Sequence, residues 1–251
     1  MWLVLCAPSD LSALWAYEGL QQRGLDPLRL VTTEELTYGV RWEHRVGTDG
    51  ARVEITLANG THIRSKDLRG VLNRIVYVPT GNLLLIQPAD RDYVQEELGT
   101  FFLSWLYALP GPMLNRPSPQ GLSGSWRHAS EWLWLAARAG LPTATYRQSS
   151  HDLSQGTSTA TSVAPPGTRV RTILVVDGHL AGHPAPAHIL DGCLRLGALA
   201  KTELLGVDFT VEAGGRWTFV GATTHPDLRP GGKQFLDLLA RALTALPRGE
   251  A

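Results

Sequence analysis

Residues 206–226 constrain the fold of this chain more than any other stretch, because they place two strand-like runs on either side of a glycine turn. Both runs, 207–211 and 217–220, are apolar and rich in β-branched and aromatic side chains, which favour strands. Between them stands Ala213-Gly214-Gly215, and glycine readily adopts the positive φ that a tight turn requires. The pattern predicts a β-hairpin.

The composition allows one large or two small domains and gives no electrostatic bias. The chain has 251 residues, with 23 basic and 23 acidic side chains. This balance gives no long-range attraction to nucleic acid or to anionic membranes, so neither is expected as a partner. Two cysteines, Cys6 and Cys193, are too few for a disulfide framework or a zinc site built from thiolates alone. The chain shows neither a signal-type N-terminus nor a membrane-spanning apolar run, which favours a cytoplasmic protein.

The N-terminal part alternates strand and helix signals. An apolar run at 2–7 predicts a buried strand, and the amphipathic stretch 11–23, ended by Gly24, predicts a helix. Residues 28–31 supply a second short strand. This β-α-β order predicts an α/β layer with parallel pairing.

Downstream patterns predict hairpins, further strands and several helices. Residues 38–64 alternate apolar and polar side chains between turn signals, which predicts antiparallel hairpins at a sheet edge. Residues 70–75 predict a strand that returns to the sheet centre, and 89–109 predict one long helix whose aromatic end lies in the core. The remaining predicted elements are helices at 126–139, 189–205 and 233–246, a strand at 143–146, and a strand with a turn at 169–179.

Residues 149–168 contain almost no large apolar side chains. Such a segment cannot bury enough apolar surface to offset its ordering entropy, so it is predicted to be a solvated loop. Ser149, His151 and Asp152 are residue types of a nucleophilic triad. A triad needs side chains that converge from different elements, however, so these neighbours are interpreted as part of the loop.

Two groups of motifs resemble the ATP-grasp ligases. The first is Asn115-Arg116-Pro117, followed by a helix that ends in Ala-x-x-Ala-Gly-Leu-Pro and by a threonine-rich strand. The second is the hairpin, whose Gly206-Val207-Asp208-Phe209 strand and terminal Pro226 match the family's last catalytic hairpin. In the family, an Asp, a Glu and an Asn of this hairpin hold the magnesium ions that bridge the phosphates of ATP. This chain keeps Asp208 but has Gly221 in place of the Glu and Thr223 in place of the Asn.

The resemblance implies an α/β fold with two ATP-grasp-like lobes. An N-terminal β-α-β, or pre-ATP-grasp, domain would span 1–118, and a C-terminal α+β lobe with a mixed sheet would span 169–251. Residues 119–148 would form a connecting helix and strand. The linker 149–168 stands where the family has its nucleotide-binding lobe, so the chain is expected to be a truncated member.

The resemblance also implies candidate residues for nucleotide and metal. The family places two lysines on ATP, whereas this chain has only Lys66, Lys201 and Lys233, none of them at those positions. Arg127 stands near the first lysine position, and Arg171 lies in the strand that matches the family's arginine-bearing strand. Asp208 is either a metal ligand or a retained structural carboxylate.

Two further groups of polar residues remain open. Asn73, Arg74 and Arg116, together with Arg64, could line a ligand cleft at the carboxyl ends of the sheet strands, or they could be ordinary surface polarity. A histidine-rich loop suggests a zinc site, although its spacing matches no standard one. Its candidate ligands are His179, His183, His188, Asp191 and Cys193.

These observations support three functions. The first is a non-catalytic, ATP-grasp-like binding or accessory protein that holds a peptide or small substrate for a partner enzyme and uses no cofactor. The second is a minimal ATP-dependent carboxylate-amine ligase that uses Arg127, Arg171 and Asp208 with ATP and Mg²⁺. The third is a metal- or small-molecule-binding protein that uses the histidine-rich loop. Because Trp132 and Trp134 cannot both face one core, an exposed indole and a homodimer or another protein partner are also predicted.

Overall fold

The computed structural model describes residues 1–48, 50–78, 86–146 and 169–245. The chain divides into two compact units. Unit 1 consists of Met1–Ser125, Asp227–Arg229 and Leu236–Ala251, and unit 2 of Trp126–Pro226 and Pro230–Phe235. In the described residues, no helix is long and apolar enough to cross a membrane.

Unit 1 contains short strands and helices in alternation. Its strands are β1 (Trp2–Cys6), β2 (Leu28–Thr32), β3 (Arg41–Gly47), β4 (Gly50–Thr56), β5 (His62–Arg64), β6 (Gly70–Asn73) and β7 (Met113–Leu114). Its helices are α1 (Leu11–Gln21), α2 (Thr33–Thr37) and α3 (Arg91–Tyr107).

A parallel sheet forms the centre of unit 1, with the strand order β2-β1-β6-β7. Helix α1 connects β1 to β2, and Asp10 caps its first turn by accepting a hydrogen bond from the backbone N–H of Ala13 at 3.0 Å. The predicted β-α-β unit and the return of residues 70–75 to the sheet centre are both confirmed.

The prediction for residues 38–64 is right in its pairing and wrong in its placement. Strands β3, β4 and β5 are antiparallel, but they form a separate three-stranded sheet and do not extend the edge of the parallel one. The alternating apolar side chains of this sheet, such as Val53, Ile55 and Ile63, are buried in the same core cluster as the aromatic residues of α3. One face of this three-stranded sheet is therefore buried in the core of unit 1, together with the aromatic residues of α3.

Helix α3 confirms the predicted long helix, preceded by a short 3₁₀ turn at Pro88–Asp90. Phe102 and Trp105 are buried, and Trp42 of β3 packs edge-on to Trp105 with ring centroids 5.3 Å apart. The aromatic end of the helix therefore belongs to the core, as predicted, although Tyr107 is exposed.

Unit 2 is built on one sheet, with two helices packed on one of its faces. Its strands are β8 (Arg169–Val176), β9 (His179–Gly182), β10 (Leu204–Val211) and β11 (Trp217–Thr223), and its helices are α4 (Ala129–Arg138) and α5 (Ala187–Ala200). The strand order is β11-β10-β8-β9, and neighbouring strands pair antiparallel. A parallel bridge between Thr143 and Phe219 makes the sheet mixed.

The core cluster of unit 2 that includes residues of α4 and α5 lies on one face of this sheet, here called the core face. Val207 and Phe209 of β10 pack there with Trp132 of α4 and Ile189 of α5. Because side chains alternate along a strand, the residues between them point to the opposite face. Asp208 is one of these residues.

Three predictions for unit 2 require correction. Helix α5 ends at Ala200, because Lys201 adopts a left-handed conformation (φ 51°), and Leu204 and Leu205 belong to β10. Helix α4 begins at Ala129, because His128 has an extended backbone and caps the helix. In the predicted strand 143–146, the only pairing among the described residues is the single bridge from Thr143.

The last helix, α6 (Gly232–Thr244), confirms the predicted C-terminal helix. Its first residues are assigned to unit 2, and those from Leu236 onward to unit 1. In unit 1, Leu236 packs against Gly19 of α1 so closely that a Cβ at Gly19 would lie 2.4 Å from a Leu236 methyl carbon.

Candidate functional site

The hairpin of β10 and β11 forms as predicted. Its turn contains Gly215 at φ 79°, and the backbone N–H of Gly215 donates to the carbonyl of Glu212 at 2.9 Å. Between Asp208 and Phe209 the pairing register shifts, so that Val220 is an extra residue on β11. A bulge of this kind increases the local twist and is frequent next to functional sites.

Asp208 stands in the middle of a row that crosses three strands. In the strand register its Cα faces Thr172 on β8 and Gly221 on β11. Residues directly opposite each other in a sheet project to the same face. We call Thr172, Asp208 and Gly221 the Asp208 row. Within it, the hydroxyl of Thr172 donates a hydrogen bond of 2.6 Å to Oδ1 of Asp208, which fixes the orientation of the half-buried carboxylate.

The two positions at which the ATP-grasp family has its Glu and Asn lie on this same face. Gly221 is opposite Asp208, and a Cβ built on Gly221 meets no heavy atom within 4 Å. Thr223 is opposite Gly206, and its hydroxyl oxygen accepts a hydrogen bond from the backbone N–H of His225 at 3.1 Å. The backbone therefore brings all three positions together, but only one of them carries a carboxylate.

These residues do not fit a magnesium–nucleotide site. The donor set of the three positions is one carboxylate and one hydroxyl that already takes part in a turn. Among the described residues, no group of three or more His, Cys, Asp or Glu side chains is arranged to hold a metal ion. A lone carboxylate leaves Mg²⁺ dependent on water and substrate phosphates for its other ligands.

Arg127 lies between two helices on the core face. Its guanidinium donates a hydrogen bond of 3.0 Å to the carbonyl oxygen of Ala200, the last residue of α5. It also forms an ion pair with Glu131. The same group stacks over the ring of Trp132, 5.6 Å from the ring centroid. A cation at a helix C-terminus is favoured by the helix dipole. These contacts engage the terminal nitrogens of Arg127, whereas its Nε is buried and has no hydrogen-bond partner among the described residues.

Arg171 also belongs to the core face. It lies opposite Phe209 in the β8–β10 pairing, one residue before Thr172. Strand alternation therefore directs Arg171 and Asp208 to opposite faces of the sheet. The structure does not bring Arg127 or Arg171 to the face that carries Asp208.

Two of the predicted cleft residues in unit 1 are buried. The amide nitrogen of Asn73 donates to the carbonyl oxygens of Asn115 and Leu122 at 3.0 and 2.6 Å, which ties β6 to the chain after β7. Arg74 forms an ion pair of 2.7 Å with Asp10, and both side chains are almost completely inaccessible to solvent. These contacts are typical of structural side chains.

The other two predicted cleft residues bond locally. Arg116 donates to the carbonyls of Leu109 and Gly111 at 3.2 and 2.6 Å, and so holds the turn after α3. Arg64 lies in β5 and forms an ion pair with Asp67 at 2.7 Å.

The histidine-rich loop is not gathered around a common point. Cys193 is completely buried in the core of unit 2, and burial raises the pKa of its thiol to about 12. The ring nitrogen Nδ1 of His183 lies 3.1 Å from the carbonyl oxygen of Thr172. His179 contacts the carbonyl of Asp177, and His188 lies in α5. Ser149, His151 and Asp152, which were interpreted as part of a loop, lie outside the described residues together with the whole of 149–168.

Thr172 is the site residue that the sequence did not reveal. It lies 36 residues before Asp208 in the chain, and only the strand register sets it beside that carboxylate. The local sequence does contain a signal, because a threonine alternates with Val170 and Leu174 on one side of β8. This alternation shows which side of β8 carries Thr172. That Thr172 lies beside Asp208 can be seen only when the pairing of β8 with β10 is known.

The comparisons with known proteins give structural matches. No family profile and no curated protein matches the sequence. The macrocyclase MdnB from Microcystis aeruginosa MRC matches with a TM-score of 0.69 at 15% identity, over 97% of this chain and 98% of MdnB. Its counterpart MdnC, bound with the precursor peptide MdnA, matches with a TM-score of 0.71 at 13% identity, over 96% of this chain and 98% of MdnC.

A third structural match is to an ATP-grasp ligase. The RiPP-associated ATP-grasp ligase of Chryseobacterium gregarium, in complex with ADP and a leader and core peptide, has a TM-score of 0.66 at 10% identity. The match covers 97% of this chain and 95% of that ligase. Each of the three matches covers at least 96% of this chain. The chain therefore has the fold of the ATP-grasp ligases.

Proposed function

We propose that this chain is a non-catalytic, ATP-grasp-like accessory protein that holds a peptide or small substrate for a partner biosynthetic enzyme. The observation that carries the proposal is the pairing of Asp208 with Gly221, where the family has an Asp opposite a Glu. Phosphoryl transfer needs cations that neutralise the charge on the transferred phosphate. A single carboxylate provides little support for those metal ions.

The positions of the cations add support. The chain has no lysine at either family position, and Arg127 and Arg171 belong to the core face of the sheet. A nucleotide held at Asp208 would therefore not meet the two arginines that the sequence suggested as substitutes. Lys201 lies at the end of α5, on the helical side of the core face.

The nature of the ligand is inferred from the proteins of similar fold. Two of them, MdnC and the Chryseobacterium ligase, are complexes with peptides. An accessory protein that keeps this fold and has lost the metal ligands could still hold a peptide. We further propose that residues 149–168 replace the nucleotide-binding lobe, on the ground of their composition.

The rival function is a minimal ATP-dependent carboxylate-amine ligase. One observation favours it: Asp208 keeps the family's carboxylate, and the Thr172 hydroxyl orients it at 2.6 Å. A carboxylate that is held by a hydrogen bond is prepared for a ligand. Measurement of nucleotide binding therefore separates the two functions.

The experiment is thermal unfolding of the full chain with and without millimolar MgATP. A ligand that is present at about 100 times its Kd stabilises a protein by about 2.7 kcal/mol. We expect no change in Tm and no release of ADP or phosphate when a candidate peptide is added. A rise in Tm that Asp208→Ala abolishes, with nucleotide turnover, would establish the ligase instead.

A protein partner is the second part of the proposal. Trp132 is buried, whereas Trp134 is 57% exposed and carries Arg138 stacked at 4.7 Å over its ring. The predicted division between these two indoles is confirmed. Exposed aromatic and arginine side chains are enriched at protein interfaces. We propose that this surface of α4 contacts the partner enzyme or a second copy of the chain.

A further inference from the structure

The Asp208 row has the properties of a binding site for an organic cation. We infer that Asp208 receives the ammonium group of a lysine or the guanidinium group of an arginine from a bound peptide. The inference rests on the proposed function, because it names the chemistry of the peptide that the accessory protein holds.

The carboxylate of Asp208 is oriented by one neighbouring side chain. The Thr172 hydroxyl occupies Oδ1 of Asp208, and in residues 1–48, 50–78, 86–146 and 169–245 no basic side chain forms an ion pair with Asp208. An ionised carboxylate can accept about four hydrogen bonds. Thr172 therefore orients the group and leaves most of its acceptor capacity for a ligand.

There is open space next to the carboxylate of Asp208. The position of Gly221 beside the carboxylate is open, since an added Cβ would meet no heavy atom within 4 Å. By contrast, a Cβ at Gly206, two residues before Asp208 on the same face, would lie 2.5 Å from Pro226. The space next to Asp208 is therefore at Gly221 and not at Gly206.

An exposed apolar side chain lies next to the Asp208 row. Val170 precedes Thr172 on β8 and lies on the same face by strand alternation, and it is 62% exposed. A lysine or arginine buries its hydrocarbon stem along apolar surface while its charged end reaches a polar partner. Val170 can contact the stem, and Asp208 can bind the charged end.

An organic cation fits this site better than a metal ion does. Mg²⁺ takes six oxygen ligands in a nearly ideal octahedron, and the row supplies one carboxylate. An ammonium or guanidinium group needs fewer partners and forms a charge-assisted hydrogen bond to a single carboxylate. A neutral hydrogen-bond donor would bind the same carboxylate oxygen of Asp208 more weakly.

The test uses the full-length protein with ¹³C-labelled valine and threonine methyl groups. The probes are the peptides acetyl-Gly-Lys-Gly-amide, acetyl-Gly-Arg-Gly-amide and acetyl-Gly-norleucine-Gly-amide, each titrated at low salt. We expect the lysine or arginine peptide to shift the methyl resonances of Val170 and Thr172 in a saturable way. The norleucine peptide should leave them unchanged, and the stronger of the two charged peptides identifies the preferred cation.

Two variants complete the test. Asp208→Asn keeps the shape of the side chain and removes its charge, so it should raise the Kd of the charged peptide about tenfold or more. Asp191→Asn makes the same change on the exposed side of α5 and should leave the Kd unaltered. The charged peptide should also bind more weakly at high salt.

Three outcomes would overturn the inference. If the norleucine peptide binds as well as the charged ones, the surface holds peptides without recognising charge, and the accessory function survives. If no charged peptide shifts Val170 or Thr172, the site does not bind organic cations. If MgCl₂ alone gives a saturable shift that Asp208→Asn abolishes, Asp208 is a metal ligand. The accessory function itself fails on a different result, namely binding and turnover of MgATP.

Discussion

Arg74 and Asp10 form an ion pair that lies almost completely inside unit 1, with Nε of the arginine 2.7 Å from Oδ2 of the aspartate. Asp10 also caps α1 through its other carboxylate oxygen. The pair therefore ties the end of β6 to the start of the first helix. Buried pairs of this kind are costly to break, because removal of one partner leaves an uncompensated charge.

We predict that Arg74→Met lowers the free energy of unfolding by about 3–5 kcal/mol. Urea denaturation followed by circular dichroism measures the change. The matched control is Arg216→Met, which breaks the exposed pair with Glu212 in the hairpin and should give no measurable change. Equal effects of the two variants would contradict a structural role for the buried pair.

The open position at Gly221 predicts a gain of metal binding. Gly221→Glu, combined with Thr223→Asn, would place a carboxylate and an amide on the face of Asp208, and the Cβ added at 221 would meet no heavy atom within 4 Å. We expect the double variant to be less stable than the parent without metal, because two carboxylates repel, and to gain stability in Mg²⁺. Calorimetric titration with MgCl₂ measures the binding.

Gly214→Glu is the control for this variant, because it adds the same charge at an open position in the hairpin turn. Equal Mg²⁺ binding by the two proteins would show that the added charge alone is responsible. In that case the geometry opposite Asp208 would not be the cause.

Ser12 connects α1 to the segment that follows β11. Its hydroxyl donates to Asp227 at 2.6 Å and accepts the backbone N–H of Leu228 at 3.2 Å. Ser12→Ala leaves this buried N–H without a partner and should destabilise the fold by about 1–3 kcal/mol in urea denaturation. Ser9→Ala, at an exposed position, should have no effect. An unchanged midpoint for Ser12→Ala would mean that water replaces the hydroxyl.

Ser12 and Arg229 also make the fold sensitive to acid. Hydrogen bonds from the Arg229 side chain, aided by Ser12, hold the pKa of Asp227 far below its usual range. The stability that this carboxylate provides is present above its unfolded pKa and is lost as the pH falls toward its folded value. Asp227→Asn should therefore flatten part of the acid limb of the stability profile.

The two buried cysteines predict that the protein loses stability at alkaline pH. Burial raises the pKa of both Cys6 and Cys193 to about 12. Their contribution to stability is complete below the pKa of an unfolded thiol, and it is lost as the pH rises from there toward 12. At pH 8 neither cysteine should react with a thiol reagent in the native protein, and both should react in urea. Rapid native labelling would show that one of them is accessible.

The exposed indole predicts self-association or partner binding. Light scattering on the purified chain measures its mass, and we expect a dimer that Trp134→Ala weakens. Tyr93→Ala, which removes an exposed aromatic side chain from α3 in unit 1, is the control. If the chain stays a monomer at high concentration, the homodimer is excluded and the partner enzyme remains the candidate.

The features that were predictable from the sequence are those with local signals. The hairpin is marked by its glycines, and the β-α-β order by short apolar runs between caps. The predicted end of α5 was wrong because Lys201 ends this helix in the left-handed conformation. Glycine is the residue that usually occupies such a position, so the sequence contains no signal for the helix end. For Arg127, the sequence shows a cation, but not the carbonyl of Ala200 that binds it.

The composition of the candidate site was harder to predict for a physical reason. Asp208 was identified from a motif, but its neighbour Thr172 depends on the pairing of β8 with β10. Strand register depends on long-range packing, so it cannot be predicted from the sequence of either strand alone. The same register separates Asp208 from Arg171, which the sequence had suggested as joint ligands.

The path of α6 has a consequence for how the protein is made. Leu236 packs on α1, and the carbonyl of Leu243 lies 2.5 Å from where a Cβ at Gly70 would stand. A ribosome that has synthesised residues 1–125 has therefore not yet produced the helix that closes the first core. Unit 1 therefore lacks this part of its packing, with apolar surface exposed to chaperones, until residues 236–244 have emerged from the ribosome.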